Sequence, residues 1–367
     1  MDFRKTPFEA EIIDLLRKGQ VELPPLRFSM EPHTQLRDAN QPDGFAQTEW
    51  KGRRHRFVVE VKRLWTPKAI SEGIAQALRY ARPPEFHPLL VVPYLSEEGL
   101  AELESAGVSG VDLCGNGVVM VPGELLVQRT GRANRFRSES EIKNVFRGNS
   151  SLVSRALLIV PEFRSVQHAA DFIRERGGSI SLPTVSKVCK NLESHLVLER
   201  TRSASGPERR LRLLQPDRLL DLLVQNFTLP VVSRIVRGKA RRPLGEIHER
   251  LAAMKPSVAR VVRTGFGSLH SYAVMAAEPE QPFYTTNLDE TLAALGDAFA
   301  PAERFADLAF HETDDLTVYF DPRPGLVASP VQAYLELATG DKRSRETAGQ
   351  VRRAILEPLL TAMISDR

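Results

Sequence analysis

The stretch FVVEVKR, residues 57–63, decides how the first third of this chain is read. Its apolar residues are β-branched or aromatic, as a strand prefers. Glu60 and Lys62 lie two apart, so on a strand their side chains point the same way. Burying one charge is costly, and burying two is sensible only where they pair or hold something. The flanking sequence, PDGFAQTEWKGRRHRFVVEVKRLW, reads as two strands around Lys51-Gly52. A two-residue turn there makes Trp50 face Arg53 and carries Asp43 directly across from Glu60. Facing residues have Cβ atoms ~4.5–5.5 Å apart, close enough for two carboxylates to share a cation. Lys62 then lies beside that cation, within reach of an attacking water or a phosphate. A slipped register makes Asp38 the spare candidate. The bland alternative is an ordinary surface ion pair between Glu60 and Lys62.

Working outward, TPFEAEIIDLLRKG reads as a helix with Thr6 as N-cap, Pro7 at the first helical position, Glu9 completing a capping box and Gly19 as its stop. Thr66-Pro67 opens a second helix that closes before Pro83. HPLLVVPYL is a buried strand, SEEGLAELESAGV a helix, and GVDLCGNGVVMVPGELLVQR two short strands. Alternating strands and helices argue for a mixed α/β sheet. Asp112 is read as a cap for the local Asn-Gly turn and Cys114 as a small buried hydrophobe.

Aspartate, hairpin, E-x-K and a following Gln76-Ala77-Leu78-Arg79-Tyr80 stand in order. Over residues 1–130 this resembles the PD-(D/E)XK restriction-endonuclease-like superfamily, in its RecB-like Q-x-x-x-Y branch. The resemblance implies that Asp43 and Glu60 bind Mg²⁺ (or Mn²⁺), that Lys62 helps activate or position water, and that Gln76 and Tyr80 organise the site. The expected activity is metal-dependent cleavage of a DNA phosphodiester, or a silent domain that keeps only the fold.

Residues 131–149 are a polar connector, and helices follow. In SLPTVSKVCKNLESHLVLER, Val185, Val188, Leu192 and Leu196 form an apolar face. Opposite lie Thr184, Ser186, Lys187, Lys190 and Asn191, residue types that reach phosphates and base edges. A hairpin with Gly206-Pro207 at its tip carries Arg200, Arg202, Arg209, Arg210 and Arg212. Residues 150–215 thus resemble a winged helix-turn-helix, which implies double-stranded DNA as partner. A winged helix used for protein contact is the alternative.

The third segment, 216–367, holds strand-like QPFYTTN and DLTVYFD and helical PVQAYLELATG and RETAGQVRRAILEPLL. With the winged helix it resembles AbiEi-type regulators and antitoxins, implying a C-terminal α/β domain, promoter binding and a toxin or other protein partner. A nuclease-like domain in front departs from that order. Gly265-Phe266-Gly267-Ser268 reads as a tight packing turn, and IVRGKA lacks the upstream glycine of a P-loop. Arg234, Arg237, Lys239, Arg241 and Arg242 are taken to extend the DNA-facing surface. His248, His270 and His311 are isolated and structural.

The expected architecture is therefore an α/β multidomain chain: nuclease-like mixed sheet, winged helix, C-terminal α/β domain. Its 50 basic and 46 acidic side chains leave a net charge of +4, compatible with nucleic acid without requiring it. Two cysteines exclude a disulfide framework and a four-cysteine zinc site. The N-terminus carries acids where a secretory segment would be apolar, and no apolar run approaches a membrane span, so a cytoplasmic location is expected. No coiled-coil pattern marks a homodimer, an assembly that winged-helix regulators often form.

Overall fold

The computed structural model describes residues 5–31, 41–136, 145–202, 209–273 and 280–365. Asp38 and the Gly206-Pro207 tip lie outside them. The fold is α/β with several sheets. The chain divides into two compact units, Met1–Ile142 with Ser194–Leu196, and Lys143–Glu193 with Val197–Arg367. No helix among the described residues is long and apolar enough to cross a membrane.

The first unit opens with α1 (Glu9–Arg17), two residues later than Thr6-Pro7 suggests. The cap is Phe8, whose backbone N–H donates to Glu11 Oε2 at 2.7 Å, so Glu11 rather than Glu9 closes the first turn. Gly19 ends the helix at φ +63°, as expected. Strands β1 (Glu22–Leu23) and β2 (Leu26–Arg27) form a small ribbon. A seven-stranded sheet follows, ordered β3 (Ser29–Met30), β4 (Gly44–Trp50), β5 (Arg53–Val61), β6 (His87–Val92), β7 (Ser109–Asp112), β8 (Gly117–Val121), β9 (Leu125–Arg129). Where two strands were expected after residue 108 there are three. The Asp112–Asn116 turn separates β7 from β8, and a second reversal at Gly123 separates β8 from β9.

Strands β5, β6 and β7 run parallel, and their other neighbours antiparallel. The parallel steps are made by α2 (Pro67–Tyr80) and α3 (Glu97–Ser105), each capped as its sequence predicts. Thr66 Oγ1 accepts from Ala69 N, and Ser96 Oγ from Gly99 N. Two cores result. Phe57, Val59 and Val61 of β5 join Ile12 and Leu16 of α1 on one face of the sheet. Leu90, Val92 and Val118 join Ile70, Ile74 and Leu103 of the crossover helices on the other. By alternation, Glu60 and Lys62 belong to the α2 face.

In the second unit, α4 (Ser151–Leu157), β10 (Glu162–Phe163), α5 (Val166–Glu175) and α6 (Leu182–Ser194) precede β11 (Leu198–Arg202) and β12 (Arg209–Leu213). The strands make an antiparallel sheet ordered β10-β12-β11. After α7 (Pro216–Asn226) come β13 (Arg234–Ala240), α8 (Leu244–Ala252), β14 (Val261–Arg263), β15 (Gln281–Thr285), α9 (Leu288–Leu295), β16 (Phe299–Pro301) and β17 (Leu308–Glu312). Their sheet is ordered β14-β15-β17-β13-β16, with β15 and β17 parallel. Helices α10 (Pro330–Ala338) and α11 (Lys342–Ser365) close the chain.

Two expectations change here. The RIVRGKA stretch is a strand, β13, paired on both sides. DLTVYFD is not a strand: residues Leu316–Tyr319 make a 3-10 turn, because Asp315 Oδ1 accepts from both the Thr317 N–H and its hydroxyl.

A buried polar chain crosses this unit. Arg155 of α4 donates to Gln332 Oε1 at 2.7 Å, and Gln332 Nε2 donates to Glu336 Oε1 at 2.7 Å. Glu336, fully buried on α10, also accepts from Gly265 N at 2.8 Å. The Gly265 turn is thus pinned by a carboxylate, consistent with a packing role. Burial pushes the Glu336 carboxyl up to about 7 from its ordinary 4.5, against the donors that favour its charged form. Folding then takes up a proton in that window, so this group's stabilisation is full below pH 4.5 and is lost as the pH rises to about 7. Glu336→Gln should flatten that part of the profile, read as urea midpoints of both chains from pH 4.5 to 8. Parallel profiles would remove Glu336 as the source.

Candidate functional site

The β4–β5 hairpin turns at Lys51 and Gly52, with φ +50° and +76°. Two positive φ values in a two-residue loop match the strands' twist and fix one register. Trp50 faces Arg53, and the pairing runs unbroken to Gly44 opposite Val59. One residue further, Asp43 leaves the ladder and its Oδ2 accepts from Val61 N at 2.7 Å. Asp43 is therefore held at the carboxyl end of β5, beside Glu60.

Glu60 is buried, 6% exposed, and its Oε1 accepts from Lys62 Nζ at 2.7 Å. The Lys62 side chain is 19% exposed, so this is no surface pair. Its stem passes over α2 at Gly73, where an added Cβ would approach Lys62 Cγ to 3.3 Å and meet Leu90 closer still. Gly73 gives β5 room to bring the lysine along the helix. Three residues on, Gln76 is half-buried and its Oε1 lacks a hydrogen bond among the described residues, while Tyr80 is half-buried one turn beyond.

Burial raises the Asp43 carboxyl above the ordinary carboxylate range, with the Val61 N–H and Lys62 opposing. Burial likewise raises Glu60, opposed by the Lys62 hydrogen bond and reinforced by the charges of Asp43 and Glu9. Sequence alone gives Glu9 no role beyond capping a helix. Its Oε1 accepts from Arg63 N at 3.3 Å, which brings α1 to the end of β5 and adds a third acidic charge to the site's field. Glu9 and Glu60 are far apart along the chain, so no local pattern signals their approach.

The donor set fits a hard divalent cation. Asp43 and Glu60 each keep one oxygen without a hydrogen bond among the described residues. Their repulsion and burial make a cation favourable between them. Among the described residues no three His, Cys, Asp or Glu side chains form a ready metal cage. Mg²⁺ commonly needs none, since it retains waters and takes one or two carboxylates together with substrate phosphate.

The second candidate surface is α6 with the β11–β12 hairpin. Ser181 caps α6, its Oγ accepting from Thr184 N and meeting Thr184 Oγ1 at 2.8 Å. Val185, Val188, Cys189 and Leu192 are buried, and Ser186, Lys187 and Lys190 are exposed. Asn191 is 6% exposed, on the inner side with Leu192, because the buried face is wider than the four expected apolar positions. The arginines divide. Arg200 turns inward, 13% exposed and 3.6 Å from Glu193. Arg210 pairs with Glu162 at 2.8 Å, and half-buried Arg212 faces both Glu162 and Glu199 in register. Arg202 faces Arg209 directly across the ladder, and both are exposed. Like charges in that position destabilise a sheet unless an anion lies over them.

The other basic run is largely neutralised. Arg234 forks onto Asp289, Arg242 pairs with Asp297 at 2.7 Å, and Arg237 lies 3.5 Å from Glu280. His248 bridges Gln281 and Arg263. Cys114 and Cys189 are buried, the latter's thiol pushed up to about 12.

Lys62→Ala leaves the Glu60 carboxylate without its partner. The loss should be about 1–3 kcal/mol at pH 8 and clearly smaller at pH 5, where Glu60 takes up a proton instead. Urea unfolding at the two pH values measures it, and an equal loss at both would refute the coupling. Compared with known proteins, the chain matches no family model, no curated protein and no solved structure.

Proposed function

We propose that this chain is a DNA-binding protein with a divalent-metal-dependent phosphodiesterase site in its first unit and a winged helix in its second. What carries the reading is the Asp43–Glu60–Lys62 arrangement at the end of β5. The order of elements around it, a helix and then a hairpin followed by two parallel crossovers, supports a restriction-endonuclease-like fold. The helix order and three-stranded sheet of residues 151–213 support a winged helix.

In such a site Mg²⁺ or Mn²⁺, held by Asp43 and Glu60, would neutralise phosphate charge and acidify a water. The chain's own part is positional. The Val61 N–H fixes one oxygen of Asp43 and aims the other outward. Lys62, released from Glu60 by rotation about its terminal bonds, can donate to the water or to a phosphate oxygen. The water oxygen bonds to phosphorus, the bond from phosphorus to the leaving sugar oxygen breaks, and the water's proton passes to solvent or that oxygen. Gln76 offers its unpaired oxygen from α2 to hold a water or a base. On the DNA-facing surface, Lys187 and Lys190 reach phosphates from α6, and Arg202 with Arg209 grips the backbone from the hairpin.

One observation favours a second reading, a non-enzymatic AbiEi-type regulator or antitoxin. The Glu60–Lys62 pair is self-compensating at 2.7 Å, so the first unit is a stable fold without any metal.

Labelled single- and double-stranded DNA incubated in Mg²⁺, Mn²⁺ or EDTA separates the two. Under the first reading cleavage requires metal, and Lys62→Ala slows it on the order of 10²-fold or more while DNA affinity stays within about twofold. Intact DNA in every lane, with a retained mobility shift, selects the regulator. In either case Lys187→Ala with Lys190→Ala should weaken duplex binding. The slope of log affinity against log salt should also become shallower, by about 0.9 for each phosphate that the absent lysines had neutralised. An unchanged slope would take α6 off the DNA.

A further inference from the structure

The second unit contains a cavity of about 470 Å³ at the carboxyl end of α5. Well-packed interiors leave few voids much larger than a water, whereas small-molecule sites are of this size. None of its lining residues belongs to the Asp43–Glu60–Lys62 site or to the exposed face of α6.

Its walls are mostly apolar: Leu251, Met254, Val261, Val262 and Leu326. Two polar groups also line it, and both are buried. Tyr319 is 4% exposed and its hydroxyl has no hydrogen-bond partner among the described residues. Asp321 is 7% exposed and its Oδ2 has none among them either, although Arg323 lies 3.2 Å away as an ion-pair neighbour. Buried side-chain atoms of this kind are rarely left unbonded. Asp321 is also held in place, at φ +51°, with its backbone N–H donating to Arg176 O at 3.1 Å.

The charges set the ligand's chemistry. Arg260 donates to Gly177 O at 2.9 Å, and Arg176 stacks on Phe172 while lying 3.4 Å from the Asp321 carboxylate. Both cations at the cavity are thus engaged, and Glu175 and Asp321 balance them. An anion or cation gains little there, and a neutral molecule fits. A carboxylate asks for an N–H, and a phenol can give its proton to a carbonyl. Groups two residues apart that offer both call for a ligand edge with an N–H beside a C=O, on a body suited to aliphatic walls.

We propose that this cavity binds a small neutral molecule with a lactam edge, a free nucleobase or nucleoside, with its ring among Leu251, Met254 and Val262 and its edge on Tyr319 and Asp321. The proposal stands apart from whether the chain cuts DNA.

Calorimetric titration of the full chain with uridine and guanosine tests it, using 3-methyluridine and 1-methylguanosine as counterparts that lack the ring N–H. At least one lactam nucleoside should bind, with its methylated counterpart about tenfold weaker or more. Tyr319→Phe should weaken that binding about fivefold or more while leaving the melting temperature of the unliganded protein unchanged or higher, since it removes only an unbonded buried hydroxyl. Absence of binding by both nucleosides at millimolar concentration would overturn the proposal. So would equal binding of the methylated pair, or a Tyr319→Phe chain that binds as the parent does or melts lower.

Discussion

Both residues of the turn between β4 and β5 lie at positive φ, and a hairpin closed by such a turn has no freedom of register. A slip by one residue would move Phe57, Val59 and Val61 off the α1 core and drive Glu60 and Lys62 into it. The same register delivers Asp43 to the Val61 N–H. From β5 the sheet grows outward through two parallel crossovers, so the position of α2, and with it Gly73, Gln76 and Tyr80, is set against this one strand. The turn and the apolar alternation enforce each other, and the acidic pair is a by-product of both.

Three buried carboxyls show how differently a fold can treat the same group. Asp112 accepts from the N–H groups of Leu95, Cys114, Gly115 and Asn116 and from the Asn116 amide, so each of its oxygens is committed to a loop. Glu336 is likewise enclosed, between Gln332 and the Gly265 turn. Glu60 has one partner, a lysine that can swing away, and an acidic neighbour that repels it. Saturated carboxyls hold backbone together. An unsaturated one, placed beside a second acid, keeps capacity for something else.

Much of this was legible in the chain. The Lys51-Gly52 turn, the caps at Thr66 and Ser96, the α6 apolar face and the order of E-x-K and Q-x-x-x-Y are local patterns, and the local physics behind them survives folding. What escaped was decided at a distance. Glu9 reaches the site only because α1 folds back onto β5. Arg234, Arg237 and Arg242 look like a free basic run until Asp289, Glu280 and Asp297, dozens of residues later, come alongside. Strand β13 was hidden by its own charges, since one face of it stays wet while both edges are paired. Leu316–Tyr319 has strand composition, but one aspartate side chain redirected its backbone. Asn191 reads as polar and outward until the width of the buried helix face is known.

The two cysteines have a practical consequence. Cys114 sits in the first unit and Cys189 in the second, both buried and both shifted by burial towards the unreactive thiol. Each becomes modifiable only when its own surroundings open. The chain therefore carries one native clock per unit. The rate at which a thiol reagent reaches Cys114 reports the breathing of the β7–β8 turn, and the rate at Cys189 reports the parting of α6 from its core, with no label added.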